Sequence, residues 1–390
     1  MVQPWVQERP HTAYLYPTLL CNLHCEMCYS GSHQSRERAK EEMTLADYER
    51  IIPQLYDIGV RTFDISGGEP FLSKDIFALF RMIKSYPDTK LLVVNNGTRL
   101  RAVMPELEKH LDLIDRMYIS IDSPVAEEHN KIRGNARALE ESLAGMKAVQ
   151  ATGFDRLGTN MVVMRQNQHR VKEALTFAHA QGFRYVNLLR LIDVKQDGTT
   201  QEDNADGRGM DRSYLDALEW LEAYADSGQK EPMEITMVFP GGFYEAYRKS
   251  PKRRNWPDGI SLKVEFDPIR GCPAFGNSVI VSSTGEVTGC TAFITQQPFY
   301  TGNAKEMTME ESLASWSEQR DRLREREQFL KTQEPCKGCE HWQMCRGGCP
   351  ATAYKYYGTI MRSDPTCVKA LEKGIVPPEP TDLIHLEDAR

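Results

Sequence analysis

Along the first 230 or so residues, apolar positions switch repeatedly between two periods. Runs rich in β-branched and aromatic residues, AYLYPTL (13–19), TFDIS (62–66), LLVVN (91–95), RMYISID (116–122), GTNMVVM (158–164) and YVNLLRLI (185–192), read as strands. Between them, residues 44–58, 73–85, 102–112, 137–152, 168–181 and 212–226 space apolar side chains by three and four and read as helices. In TLADYERIIPQLYDIG, Thr44 is the expected N-cap, Gly59 the stop, and Pro53 the expected kink. Six βα units in succession predict a parallel sheet with right-handed crossovers, either doubly wound or a full or partial barrel. In a barrel, ligands sit at the carboxyl ends of the strands.

Composition narrows the class. A chain of 390 residues suits one large α/β domain plus a smaller one, and 41% hydrophobic against 26% charged residues leaves ample material for a buried core. The formal net charge of -7 argues against a general nucleic-acid binder, which needs a basic surface to displace counterions. The basic run RKSPKRRN (248–255) reads as a solvated loop. No apolar run reaches the roughly 18 residues that span a bilayer. MVQPWVQERPH at the N-terminus lacks the cationic and apolar segments of a secretory signal. The expectation is a cytoplasmic protein with no nucleic-acid or membrane partner. In that reducing compartment disulfides are disfavoured, so ten cysteines point to metal.

The cysteines fall into two groups separated by a long cysteine-free interval. Cys21, Cys25 and Cys28, in CNLHCEMCY, follow the first predicted strand. Four thiolates would close a zinc site or hold all four irons of a 4Fe-4S cluster; three leave one iron without a protein ligand. A zinc site completed by His24 or His33 is the alternative from spacing alone. After the second strand comes SGGEP (66–70), where Gly67 and Gly68 allow close approach of backbone to a ligand. There Glu69 or the carbonyls could accept hydrogen bonds from a cationic amine, a plain turn being the alternative.

Taken together, the two motifs resemble the radical S-adenosylmethionine (SAM) superfamily, over about residues 10–235. The resemblance implies a 4Fe-4S cluster on Cys21, Cys25 and Cys28, whose fourth iron chelates the amine and carboxylate of SAM. It places Tyr29 beside the adenine and Gly67, Gly68, Glu69 and Pro70 at the methionine amine. It further points to Asn96 in NNG (95–97), Ser120 and Asp122 in SID (120–122), and Arg133 in HNKIRG, the last suited to pairing with the SAM carboxylate. Asn160 and Leu191 complete the implied SAM contacts.

The second group comprises Cys272, Cys290, Cys336, Cys339, Cys345, Cys349 and Cys367. Its CxxC-like knuckles alone suit structural zinc. The whole layout is similar to the SPASM extension of radical SAM enzymes. That similarity implies one auxiliary 4Fe-4S cluster on Cys272, Cys290 and Cys349, and another on Cys336, Cys339, Cys345 and Cys367, three clusters in all. The sulfatase-maturating members carry a further cysteine where this chain reads VEFDPIRGC. The fourth iron of that first auxiliary cluster would then be free, bind substrate, or take oxygen from Asp267 or Glu265. GNSVIVSSTGEVTGC reads as a hairpin turning near Thr284 and Gly285, and Gly347 and Gly348 could aim amides at sulfur.

The expected fold is therefore α/β, a partial (β/α)6 TIM-like barrel with a C-terminal SPASM domain of β-hairpin and short helices. The expected boundaries are 1–235 for the barrel, 236–271 for a bridge, 272–370 for the SPASM domain and 371–390 for a tail. The resemblance implies reductive cleavage of SAM to a 5'-deoxyadenosyl radical that abstracts a substrate hydrogen. Oxidative modification or crosslinking of a ribosomally synthesised peptide is expected. Radical dehydrogenation or epimerisation of a small molecule such as a sugar or aminocyclitol is the alternative, and a non-enzymatic zinc scaffold the second. An external one-electron donor such as flavodoxin or ferredoxin is implied. Because Cys21 comes early, a separate leader-binding protein, a leader-independent peptide or a small substrate is expected. Clusters would use every cysteine, leaving no thiol donor and favouring oxidation over epimerisation. Residues 195–211 read as a solvated connection or lid, and 238–259 as a source of specificity.

Overall fold

The computed structural model describes residues 9–32, 38–192, 207–229, 231–238, 256–264 and 272–374. His33, Glu265, Asp267, and most of the 195–211, 238–259 and tail segments lie outside the described residues. The strands are β1 (Thr12–Leu15), β2 (Thr62–Ile65), β3 (Lys90–Asn95), β4 (Arg116–Ser120), β5 (Leu157–Val163), β6 (Tyr185–Arg190), β7 (Met233–Val238), β8 (Ile260–Val264), β9 (Ser278–Val281), β10 (Glu286–Thr288) and β11 (Gly302–Asn303). The helices are α1 (Leu45–Asp57), α2 (Ile76–Lys84), α3 (Leu100–Leu107), α4 (Ala126–Arg133), α5 (Ala138–Gln150), α6 (Val171–Ala180) and α7 (Gly207–Asp226). Towards the C-terminus follow α8 (Met309–Ala314), α9 (Trp316–Leu330), α10 (Trp342–Cys345), α11 (Pro350–Tyr357) and α12 (Val368–Glu372).

Alternating parallel strands and helices make this an α/β fold with a partial (β/α)6 TIM-like barrel, the strand order having two ends rather than closing. The chain divides into two compact units. The first comprises residues 1–121, 125–159 and 273–320; the second 122–124, 160–272 and 321–390.

In the first unit, β1 through β4 pair in parallel and in sequence order. β9 adds to the other side of β1 in parallel, and β10 and β11 continue antiparallel. The hairpin turns at Ser282–Gly285 as its sequence predicts, Gly285 taking φ +96°. On β1, β2 and β3 the alternate residues Ala13, Leu15, Phe63, Ile65, Leu91 and Val93 are fully buried. Each of these side chains larger than Ala13 contributes about 1.5–3 kcal/mol. The opposite row, Tyr14, Asp64 and Leu92 in register, stays partly exposed.

α1 starts on a capping box in which Thr44 and Asp47 satisfy each other's backbone amides. It buries Tyr48, Ile51, Ile52 and Leu55 along one face and runs through Pro53. β1 ends at Leu15 rather than Leu19, because Pro17 has no amide to continue the ladder. α4, β7 and β8 are absent from the sequence reading. α4 is short and polar on most of its surface, so its periodicity is weak.

In the second unit β6, β7 and β8 pair in parallel, and α6 and α7 pack together. The C-terminal half of α9 and helices α10–α12 belong to this unit. Among the described residues no helix is long and apolar enough to cross a membrane.

Candidate functional site

The first cysteine group lies on a loop tied down on three sides. Leaving β1, Thr18 and Leu20 offer their carbonyls to the amides of Gly68 and Glu69, at 2.8 and 2.7 Å. Glu42 Oε1 accepts the Leu19 amide at 2.6 Å and the Thr18 hydroxyl at 3.0 Å. From the far side the end of α4 supports the loop: His24 donates to Arg133 O at 3.3 Å, Glu26 to Ile132 O at 3.0 Å. Arg133 Nη1 lies 3.8 Å from Cys25 Sγ. Gly134 caps α4 in the left-handed region at φ +62°, where a Cβ would fall 2.4 Å from His24 O.

Within this loop Cys28 donates its amide to Cys25 O at 3.3 Å. All three thiols are partly exposed and none is in a disulfide. Burial pushes the Cys21 thiol up to about 12, and Cys25, Glu69 and Cys28 add to the rise through their charges. The three sulfurs thus share one electrostatic neighbourhood. The Tyr29 hydroxyl meets that of Tyr16 at 2.5 Å, so its ring is anchored against β1.

The SGGEP turn presses against the loop backbone. A Cβ on Gly68 would lie 2.1 Å from Leu20 O, and one on Gly67 2.7 Å from Thr18 O. Glu69 is 0% exposed. Its carboxylate accepts the amides of Phe71 at 3.2 Å and Asn96 at 2.8 Å, bracing the end of β2 against that of β3. Burial pushes this carboxyl up to about 7, against the two amides and the charges of Arg99 and Arg133. Asn96 Nδ2 donates to Asn22 Oδ1 at 3.0 Å, and the Asn96 carbonyl accepts the Ser142 hydroxyl at 2.6 Å. Pro70 opens a short 3-10 turn, and Ser120 ends β4.

The first unit therefore brings together Cys21, Cys25, Cys28, Tyr29, Gly67, Gly68, Glu69, Pro70, Asn96 and Arg133. Asp122, Asn160 and Leu191 belong to the second unit. There the fully buried Asp122 accepts the Val162 amide at 2.9 Å, and Asn160 Oδ1 accepts Asn187 Nδ2 at 2.9 Å. Sequence reasoning missed Asn22, which lies inside the cysteine motif, and Glu42, Tyr16 and Ser142, which brace the loop and Asn96 from outside the motifs.

In the second unit Cys336, Cys339, Cys345 and Cys367 act on one another through their charges. Burial pushes Cys336 up to about 12, with Cys367 and Cys339 adding to the effect. Cys345 rises by burial and by the charges of Cys367, Asp364 and Cys336. Cys290 lies in the first unit, just after the β9–β10 hairpin. Among the described residues no three His, Cys, Asp or Glu side chains converge as they would on a single metal ion. Soft thiolate donors, a loop with three of them and a glycine cradle beside it fit an iron-sulfur cluster with a small ligand.

Such a loop on the first strand of a partial barrel defines a class. The family model described as the radical SAM superfamily matches residues 15–178, and that of the SPASM iron-sulfur cluster-binding domain matches residues 272–340. The chain belongs to the radical SAM superfamily and carries a C-terminal SPASM domain, which imply SAM and iron-sulfur clusters as cofactors.

Within that class it is similar to the AdoMet-dependent heme synthase of Methanosarcina barkeri, 25% identical over 89% of this chain and 93% of that protein. It is also similar to the mycofactocin maturase MftC of Mycolicibacterium smegmatis, 24% identical over 93% of this chain and 85% of that one. Among solved structures, Streptococcus suis SuiB bound to S-adenosylmethionine superposes with a TM-score of 0.69 at 18% identity. That match covers 93% of this chain and 78% of SuiB. SuiB bound to its precursor peptide SuiA gives 0.65 at 18% identity, covering 93% and 76%. At those identities the likeness is one of fold.

Proposed function

We propose that the chain is a radical SAM oxidoreductase carrying three 4Fe-4S clusters, and that it oxidatively modifies or crosslinks a ribosomally made peptide. The observation that carries the reading is the Cys21–Cys25–Cys28 loop held between the SGGEP turn and the end of α4. When bound, SAM on a reduced cluster supplies a 5'-deoxyadenosyl radical, which removes a hydrogen atom from the substrate. The chain's residues hold the parts in place. Cys21, Cys25 and Cys28 would ligate three irons, leaving the fourth for the amino acid end of SAM. Gly67 and Gly68 let the turn press against the cysteine loop, where a side chain would meet the carbonyls of Thr18 and Leu20, and Glu69 fixes the ends of two strands beside it. Arg133, whose guanidinium is 3.8 Å from Cys25 Sγ, suits the SAM carboxylate. Asp122, Asn160, Leu191, Ser120 and Asn96 are proposed for the remainder of SAM, and Tyr29 for the adenine.

The peptide reading draws support from the likeness to SuiB bound to SuiA. A second reading, oxidation of a small molecule of the tetrapyrrole class, is favoured by the similarity to an AdoMet-dependent heme synthase over most of both chains.

Anaerobic reconstitution followed by iron, zinc and sulfide analysis tests the reading. About twelve irons per chain are expected for three clusters, with about four fewer when Cys21, Cys25 and Cys28 are replaced by alanine. Dithionite should yield 5'-deoxyadenosine from the wild type alone. Zinc without sulfide would overturn the reading. Deuterated peptide and porphyrin substrates separate its two forms, since only the true substrate transfers deuterium into 5'-deoxyadenosine.

A further inference from the structure

Arg326, on the C-terminal half of α9, is 2% exposed. Its guanidinium is spent on backbone carbonyls: Nε donates to Ile360 O at 2.7 Å, Nη1 to Arg346 O at 3.2 Å, and Nη2 to Gly347 O at 2.8 Å and Arg362 O at 3.1 Å. Among the described residues no carboxylate forms an ion pair with it. Two carboxylates that feel its charge are committed elsewhere, Asp364 to Arg190 at 2.6 Å and Glu327 to Arg346 at 3.2 Å. A buried cation lacking a counter-anion is costly, so a chain that keeps one has an anion to set against it.

Thiols supply it. The groups acting on Arg326 include Cys272, Cys349 and Cys345, and Cys336 feels its charge in turn. These come from both auxiliary ligand sets, Cys272 and Cys349 from one, Cys336 and Cys345 from the other. The loop between Cys345 and Cys349 turns through positive φ at Arg346 (+47°), Gly347 (+84°) and Gly348 (+73°). Arg326 holds it by two carbonyls, and Asp364 Oδ2 holds it by the Cys349 amide at 3.0 Å.

We propose that Arg326 is the built-in counter-ion of the SPASM clusters, a positioning residue whose fixed charge raises their reduction potentials. The inference rests on the three-cluster reading above. A thiolate-bound cluster gains negative charge on reduction, and a permanent cation in a low-dielectric site stabilises that form most. A guanidinium fits the task because it keeps its charge when buried.

The experiment uses the full chain, reconstituted anaerobically, with Cys21, Cys25 and Cys28 replaced by alanine so that only SPASM clusters report. Potentiometric titration followed by electron paramagnetic resonance compares the parent with Arg326→Gln and Arg326→Lys. At equal iron content, Arg326→Gln should shift the potentials negative by at least a tenfold change in the reduced-to-oxidised ratio, about 59 mV for a one-electron couple. Arg326→Lys should stay nearer the parent. If Arg326→Gln loses iron, retention of iron and potential by Arg326→Lys still supports the proposal. Unchanged potentials in Arg326→Gln overturn it, as does equal loss of iron in both variants, which makes Arg326 a structural clamp. Zinc in place of iron in the parent would sink the cluster reading itself, and is detected before any variant is compared.

Discussion

The Arg190 guanidinium grips the Asp364 carboxylate through two hydrogen bonds of 2.6 and 2.8 Å, with both side chains 3% exposed. Asp364 also accepts the Cys349 amide at 3.0 Å and the Thr366 amide and hydroxyl at 3.0 and 2.7 Å. Removing one partner leaves a buried charge uncompensated. Arg190→Ala is therefore expected to cost about 3–5 kcal/mol, read as a lower urea midpoint at unchanged slope. Iron should also leave the SPASM cysteines faster under chelator.

The same carboxylate sets an acid limit. Burial opposes its ionisation, but the Arg190 charge and hydrogen bonds, with those of Thr366, hold it below the usual 3.8. A depressed carboxyl stabilises the fold above its unfolded value and ceases to do so as pH falls through its folded value. Stability should fall below about pH 4. Asp364→Asn, less stable at neutral pH, should lose this part of the acid slope in denaturant titrations.

Asp64 behaves in the opposite sense. Its Oδ1 is buried without a hydrogen-bond partner, and burial pushes the carboxyl up to about 7 from 3.8. The folded state then holds its proton longer than the unfolded chain. This group's penalty is absent below 3.8 and grows until pH passes 7. Asp64→Asn should be more stable than the wild type at about pH 8 and level with it near pH 4. An equal difference at both would contradict the assignment.

Gly68→Ala should be disproportionately harmful for one methyl group. Its Cβ would meet the Leu20 carbonyl at 2.1 Å, and backbone on both sides must move. Overpacking of this kind typically costs about 1–3 kcal/mol, and the shift falls next to Cys21. Loss of SAM affinity in equilibrium dialysis should exceed what the change in the denaturation midpoint accounts for.

Much of this was legible in the chain because local rules agree with global ones. Strand and helix periods marked the six βα units, Thr44 sat where a cap belongs, and Thr284–Gly285 where a hairpin turns. The spacing of Cys21, Cys25 and Cys28 beside SGGEP carried the family. What stayed hidden depends on contacts between residues distant in sequence. Nothing local marks Glu42 as the acceptor for Leu19, or Ser142 as the donor to Asn96. A charged residue in the strand run YVNLLRLI signals that Arg190 must be paired, yet it does not name Asp364. Arg326 is one of several arginines in a polar helix, DRLREREQFL, and only the fold distinguishes it.

The parallel pairing of β9 with β1 joins Thr12 to Ser278 and Leu15 to Val281. During synthesis on the ribosome, one flank of β1 must wait for a partner made long after it. Closing so large a loop is slow, and meanwhile the strand presents a bare ladder of amides and carbonyls on which other chains could add. A nascent chain of this protein is thus most exposed to misassembly while its N-terminal half already resembles a finished domain.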